Sequence, residues 1–252
     1  DFSVRRLGNP VAWVDASRKV HLFAVATGLG GWSASRVVHL VSEDEGITFE
    51  PERVLPLSPW FNTSAMVRAQ PVALADGGAL LPLYFEFGNK YPIAMRVSAS
   101  GVPVAIVRMS HDVEALQPAI VPIDSHRAVA LLRDPGETRT LKVVSTRDAG
   151  LSWADEGMTN LANPNSAVAA ARLPGGTLLA AVNPSRTERS ELAMAVSRSG
   201  RDWTVVQTIA SGGEDDEFSY PQLLVQGDLV HLTYTDRRQR IAHRIYRIKA
   251  PQ

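Results

Sequence analysis

The sequence contains no cysteine, which excludes disulfides, thiolate metal sites and cysteine nucleophiles. It leaves the compartment open, because a secreted protein need not use disulfides. Net charge is absent too: 26 Lys plus Arg balance 26 Asp plus Glu. No field therefore exists to hold a polyanion by counterion release or to press the chain onto an anionic membrane, and nucleic acid is not an expected partner. Lysine is scarce, at positions 19, 90, 142 and 249 only, so nearly all the positive charge is arginine. Arginine grips carboxylates and phosphates with a planar fork, although a codon bias toward Arg explains the same count. No apolar run approaches the roughly 18 residues of a membrane span, and Asp1-Phe2-Ser3-Val4-Arg5-Arg6 is not a signal peptide. Either the chain is cytoplasmic or its targeting segment lies outside this sequence. Amphipathic helical stretches with capping signals are missing as well, which makes an α/β reading poor.

What is present is a repeat. At 45% hydrophobic, with 18 Gly and 16 Pro spread along 252 residues, the composition is globular, and one all-β barrel, sandwich or propeller can use that length. Short apolar runs come in pairs: Pro10 to Asp15 with Val20 to Val25, Pro71 to Gly78 with Ala79 to Tyr84, and Pro118 to Asp124 with Ala128 to Arg133. Ala167 to Arg172 pairs with Thr177 to Val182, and Pro221 to Val225 with Leu229 to Tyr234. Each pair reads as two strands and a tight turn, for which Gly77-Gly78 and Gly175-Gly176 supply positive φ. A third strand and a Gly turn follow the first four pairs, at Gly46, Gly101, Gly150 and Gly200, about 50 residues apart. The expectation is one all-β domain over residues 1–252, a β-propeller of four-stranded blades with five repeats present.

The Gly turns carry a second pattern. Ser42-Glu43-Asp44-Glu45-Gly46-Ile47-Thr48-Phe49 and Thr146-Arg147-Asp148-Ala149-Gly150-Leu151-Ser152-Trp153 share Ser/Thr-x-Asp-x-Gly-x-x-aromatic. The Asp can accept from turn N–H groups, the Gly takes the left-handed conformation, and the ring buries beneath the hairpin. This resembles the Asp-box, or bacterial neuraminidase (BNR) repeat, with Ser197 to Trp203 a shortened copy and Ser98 to Gly101 a remnant. The motif is a fold staple found in enzymes and non-enzymes alike, so Asp44 and Asp148 are read as structural.

Ligands of propellers bind at the mouth formed by loops and inner-strand ends. The polar residues bracketing those strands are Gln117, Arg133, the stretch Asn183 to Arg189, and Glu217-Phe218-Ser219-Tyr220-Pro221. With Asn163-Pro164-Asn165-Ser166, they make the whole chain resemble the sialidase (neuraminidase) superfamily of six-bladed propellers. That family clamps the sialic acid carboxylate with three arginines, attacks with a Tyr paired to a Glu, and uses an Asp as acid/base. The resemblance implies Arg133 and Arg189 as the second and third arginines and Tyr220 as the nucleophile, a recognised exception to carboxylate nucleophiles among glycosidases. Gln117 stands where the Glu partner is expected, and an amide cannot take the phenolic proton; Glu217, Glu114 and Glu86 are the candidate substitutes.

The first arginine and the Asp belong to a family blade that precedes Asn9-Pro10-Val11, so residues upstream of Asp1 are expected to be needed for activity. Phe2 to Leu7 reads as a spare strand, either completing the last blade or the outer strand of that preceding one. Arg237, Arg238 and Arg240 suit a rim for an anionic glycan or a solvated basic turn, and Trp32 and Trp60-Phe61 suit sugar stacking or burial between blades. His21 and His231 occupy equivalent Val-His-Leu positions and read as strand residues; no His pair has zinc spacing, and no metal or cofactor is expected. Three functions stay open: a sialidase-like glycoside hydrolase or fragment acting on a terminal anionic sugar, a glycan- or protein-binding propeller without turnover, and a structural interaction domain. The family resemblance points outside the cytoplasm, with a sialoglycoconjugate as partner.

Overall fold

A computed structural model describes residues 4–57, 62–111 and 114–248. Five antiparallel sheets follow one another along the chain, and spatial order follows chain order in each apart from one short strand of the second, which pairs with the same neighbour as the strand before it. The first comprises β1 (Arg6–Val14), β2 (Val20–Thr27), β3 (Arg36–Ser42) and β4 (Glu50–Val54); the second, β5 (Ala65–Val67), β6 (Val72–Ala73), β7 (Ala79–Phe85), β8 (Tyr91–Val97) and β9 (Pro103–Arg108). The third holds β10 (Leu116–Pro122), β11 (Ala128–Arg133), β12 (Thr140–Thr146) and β13 (Ala154–Ala162), and the fourth β14 (Ala169–Arg172), β15 (Leu178–Val182), β16 (Glu191–Ser197) and β17 (Trp203–Ser211). The last has three strands among the described residues, β18 (Phe218–Gln226), β19 (Leu229–Asp236) and β20 (Arg240–Arg247). These sheets are the blades of a β-propeller, as the repeat spacing implies. Among the described residues no helix is long and apolar enough to cross a membrane.

Burial explains the run types. Middle strands such as β15 are buried on both faces, so they read as continuous apolar runs rather than alternating ones. Outer strands such as β9 alternate half-buried with exposed residues, because only one face meets the interior. The chain divides into two compact units, residues 1–118, 125–127 and 146–154 on one side and 119–124, 128–145 and 155–252 on the other. The first is built on a cluster including Phe23, Val25, Leu81, Leu83 and Met95. The second has its own, around Leu192, Met194, Phe218, Leu232 and Tyr234.

Three sequence expectations change. The spare N-terminal strand does not exist as such where it is described: Arg6 and Leu7 pair with Thr27 and Ala26 at the start of β1, and Arg5 N donates to Thr27 O. A register shift between Gly8 and Val11 breaks the alternation there, which made one bulged strand look like two. Phe2 and Ser3 lie outside the described residues. The inner edge of the second blade starts earlier than Pro71, at Ala65, and is interrupted, with β5 and β6 both pairing with β7. Gly77, Gly175 and Gly176 have positive φ as expected, but Gly78 does not; a Cβ there would lie 2.3 Å from Val97 O, so space rather than φ requires the glycine.

The Asp-box turns form as expected, twice over. Gly46 N donates to Ser42 Oγ at 2.8 Å, Ser42 Oγ donates to Asp44 Oδ1 at 2.7 Å, and Thr48 donates N–H and hydroxyl to the two Asp44 oxygens at 2.9 and 2.6 Å. Thr146, Asp148, Gly150 and Ser152 repeat every one of these bonds. The shortened copy keeps part of the scheme, with Gly200 N donating to Ser197 Oγ. Of the three rings only Trp203 is buried, its Nε1 donating to Gly200 O; Phe49 and Trp153 are half-buried.

Candidate functional site

Each blade has a non-glycine residue in the left-handed region in its first strand, Asn9 (φ 49°), Gln117 (φ 51°) and Tyr220 (φ 55°), or in the one to four residues before it, Ser64 (φ 60°) and Asn165 (φ 56°). Such residues cost of order 1–3 kcal/mol each and cluster at ligand sites, where surrounding contacts hold them. Asn9 and Tyr220 sit inside bulges, where the ladder register shifts between Gly8 and Val11 and between Ser219 and Gln222. Asn9, Gln117 and Tyr220 each precede a proline, which has no N–H to give a regular ladder and so fits a bulge. A bulge re-aims the side chain it carries; Tyr220 is 45% exposed on a strand whose neighbours Ser219 and Pro221 are buried.

In the second unit, two of the sequence-selected arginines meet on one residue. Arg133, the last residue of β11, donates through Nε to Asn165 Oδ1 at 2.5 Å. Arg189, in the loop before β16, donates through NH2 to the Asn165 carbonyl oxygen at 3.0 Å. Asn165 is held by a buried polar network. Asn163 Oδ1 accepts from Ser166 N (2.8 Å), Ser166 Oγ donates to Asn183 Oδ1 (2.8 Å), and Asn183 Nδ2 donates to the carbonyls of Glu191 (2.6 Å) and Phe218 (2.7 Å). Asn163, Ser166 and Asn183 are completely buried, so this pairing is obligatory, and it ties the ends of three strands together two residues before Tyr220.

Glu217, immediately before β18, completes the cluster. Its carboxylate accepts from Ser219 Oγ (2.5 Å), Arg238 Nε (2.6 Å) and Arg189 NH1 (3.4 Å). Burial alone would raise its pKa, but the bonds from Ser219 and Arg238 and the charges of Arg189 and Arg238 outweigh that and hold it below the ordinary glutamate value. Glu217 is therefore an ionised acceptor at neutral pH. A cleft of about 530 Å³ opens over it, lined also by Arg189, Asp216, Arg237 and Arg238. Arg237 pairs with Asp216 (2.9 Å) and lies over the Phe218 ring.

The structure thus brings Arg133 and Arg189 together through Asn165, and Arg189, Glu217 and Arg237 around one cleft. Gln117 and Glu86 belong to the other unit. Gln117 is buried and donates to the Tyr84 hydroxyl at 3.4 Å, and Glu86 stands just after β7 with its N–H on Ser64 O. Glu114 is ion-paired to Lys90 (3.0 Å). Trp32 is 55% exposed; Trp60 and Phe61 lie outside the described residues. His21 and His231 are middle-strand residues, each bonded to a histidine of the next strand, His39 (2.9 Å) and His243 (3.1 Å). No group of three or more His, Asp or Glu among the described residues is arranged to hold a metal ion. Sequence reasoning named Asn183 and Ser219 only as members of polar segments beside the inner strands, and Asn165 only within the Asn163 to Ser166 segment, with no role for any of them. Their signal is the placing of polar runs, Asn163 to Ser166, Asn183 to Arg189 and Glu217 to Tyr220, between apolar strands.

Asp-box turns on the first and third blades of a run of antiparallel blades, with Arg133 and Arg189 meeting on Asn165, define a sialidase-like β-propeller. The chain belongs to the BNR repeat-like domain family, whose model matches residues 2–232. No curated protein sequence matches it. Among solved structures it is similar to the Hadza microbial sialidase Hz136 (TM-score 0.79, 16% identity, 96% of this chain and 52% of that one). It is similar also to the leech intramolecular trans-sialidase (0.74, 12%, 96% and 56%) and to a protein of unknown function from Dyadobacter fermentans DSM 18053 (0.75, 16%, 96% and 77%). The chain spans about half the length of these two sialidases, and at such identities the likeness is one of fold.

Proposed function

We propose that this chain belongs to a sialidase-like glycoside hydrolase, or is a fragment of one, that recognises and cleaves a terminal anionic sugar such as sialic acid outside the cytoplasm. The observation that carries this reading is the meeting of Arg133 and Arg189 on Asn165. Two guanidinium groups anchored to one residue make a fork for a planar carboxylate. Tyr220 is the nucleophile in this reading: a neutral phenol approaches an anionic sugar without the repulsion a carboxylate would meet, and its strained, bulged backbone points it outward. Glu217, three residues earlier in the chain and ionised, is the candidate base in this reading, and Arg237 a rim contact. In the other unit, Gln117 and Glu86 are the polar groups at corresponding blade positions.

A second reading, a propeller that binds glycan or protein without turnover, rests on Gln117. Its amide donates to Tyr84 and has no basic oxygen to take a phenolic proton. Titration of N-acetylneuraminic acid into the chain tests both. Arg133→Ala and Arg189→Ala are each expected to weaken binding at least tenfold, as loss of a charged hydrogen-bond pair does. Release from a fluorogenic sialoside that Tyr220→Phe abolishes supports hydrolysis. Intact binding without release supports the second reading, and no binding of the sugar acid defeats both forms of sugar recognition.

A further inference from the structure

Resting on that carboxylate-binding reading, we infer that the Glu217 carboxylate is an internal occupant of the ligand's place on Arg189, and that an incoming sugar acid displaces it onto Arg238. Neither terminal nitrogen of Arg189 is idle: NH2 donates to the Asn165 carbonyl at 3.0 Å and NH1 to Glu217 Oε1 at 3.4 Å. The two partners differ in kind. The first is neutral main chain and fixes where the guanidinium stands, whereas the second is a carboxylate, the same group a sugar acid brings. That second contact is also the longest Glu217 makes, outside the range of about 2.7–2.9 Å of a strong charge-assisted bond. Ser219 Oγ reaches the same Oε1 at 2.5 Å, while Arg238 holds Oε2 through Nε at 2.6 Å and through NH2. Released from Arg189, Glu217 keeps one whole guanidinium edge and a hydroxyl, so the exchange leaves no buried charge unpaired.

The rest of the cleft shows why an exchange is needed. Each arginine lining it has an acidic partner: Arg189 and Arg238 share Glu217, and Arg237 has Asp216 at 2.9 Å. An anion entering this cleft must therefore separate a pair, and Arg189–Glu217 is the longest of them. A neutral sugar offers Arg189 nothing in place of the carboxylate it loses, so the same contact selects acids over neutral sugars.

Glu217→Gln keeps the side-chain shape and an acceptor for Arg238 but withdraws the charge from Arg189. Affinity rather than turnover is the readout, because Glu217 is also the candidate base. The probes are N-acetylneuraminic acid and acetate, titrated at neutral pH, with the methyl ester of N-acetylneuraminic acid as the neutral control. In Glu217→Gln the Kd for both acids is expected to fall about threefold or more, the scale of a partly exposed ion pair, with no gain for the ester. The gain should vanish in an Arg189→Ala background, which closes a double-mutant cycle on the pair. Unchanged or weaker acid binding in Glu217→Gln, a gain that persists without Arg189, or an equal gain for the ester overturns the inference. If the Gln variant does not fold, Glu217→Asp decides: one methylene shorter, it keeps Arg238 and falls short of Arg189. Tighter acid binding there supports the exchange, and unchanged or weaker binding overturns it. Tighter acetate binding in Glu217→Gln, with no N-acetylneuraminic acid bound by either protein, defeats the sugar reading and leaves the exchange standing. No binding of either acid by wild type and variant overturns both.

Discussion

Asp44 and Asp148 each tie down a four-residue turn through both carboxylate oxygens, so their chemistry is used up locally and none is left for a ligand. Removing the acceptors in Asp148→Ala should cost about 1–3 kcal/mol, measured by chemical denaturation, with little change in anion binding. The Asp44 carboxyl is held at about 2 by its bonds from Thr48 and Ser42. Since the folded value lies below the unfolded one, its stabilisation is complete above about pH 4 and fades as pH falls through 3.8 toward 2. A carboxyl carbon NMR titration with a midpoint near 4 would contradict this. The role of these aspartates was legible in the sequence because a turn staple is local: the residues that bond lie within four positions of each other. Asn165 was not, because its partners are 32 and 24 residues away and only the folded blades bring them to it.

Between elements of the first unit, the turn after β8 rests on histidines of the first blade. A Cβ on Gly101, whose φ is 74°, would lie 2.7 Å from His21 Nδ1 and 2.8 Å from His39 Cε1. Gly101→Ala should therefore destabilise by about 2 kcal/mol or more, from left-handed strain and overpacking together. His21 and His39 stack between Trp13 and Phe23 in one column, with Asp15 bonded to His21 at 3.1 Å. Burial above all, then the neighbouring His21 and Arg53, push His39 down to about 4, with Glu52 opposing. The unfolded chain thus binds a proton at His39 that the folded one refuses. Stability is full above about pH 6.5 and falls through the window to pH 4, by up to about 3 kcal/mol. His39→Phe should flatten that part of the denaturation profile, and an unchanged slope between pH 6.5 and 4 would refute the assignment. His231 and His243 stand in the same diagonal register of the last blade, yet His243 is exposed. Sequence placed His21 and His231 alike on middle strands, whereas their different burial came from what packs over them.

For the whole molecule, balanced charge has a direct consequence. With 26 cationic and 26 anionic side chains, retention on heparin or DNA should disappear by about 0.1 M salt, where the Debye length is about 10 Å; tight binding at higher salt would contradict it. Local order was readable because propeller blades are meanders: each strand pairs with the next, so apolar runs and Gly turns reveal the sheets without long-range information. Where bulges and breaks interrupt the alternation, at Gly8 to Val11 and between β5 and β6, the sequence misled. The all-β meander, its five repeats and its Asp-box turns were determined by the sequence itself, since period, turn chemistry and burial are local properties of the chain. The convergence of Arg133, Arg189 and Glu217 was decided only by tertiary structure. Hydrogen bonds between residues tens of positions apart depend on how strand ends are brought together, and here a buried, uncharged network around Asn163, Ser166 and Asn183 does so.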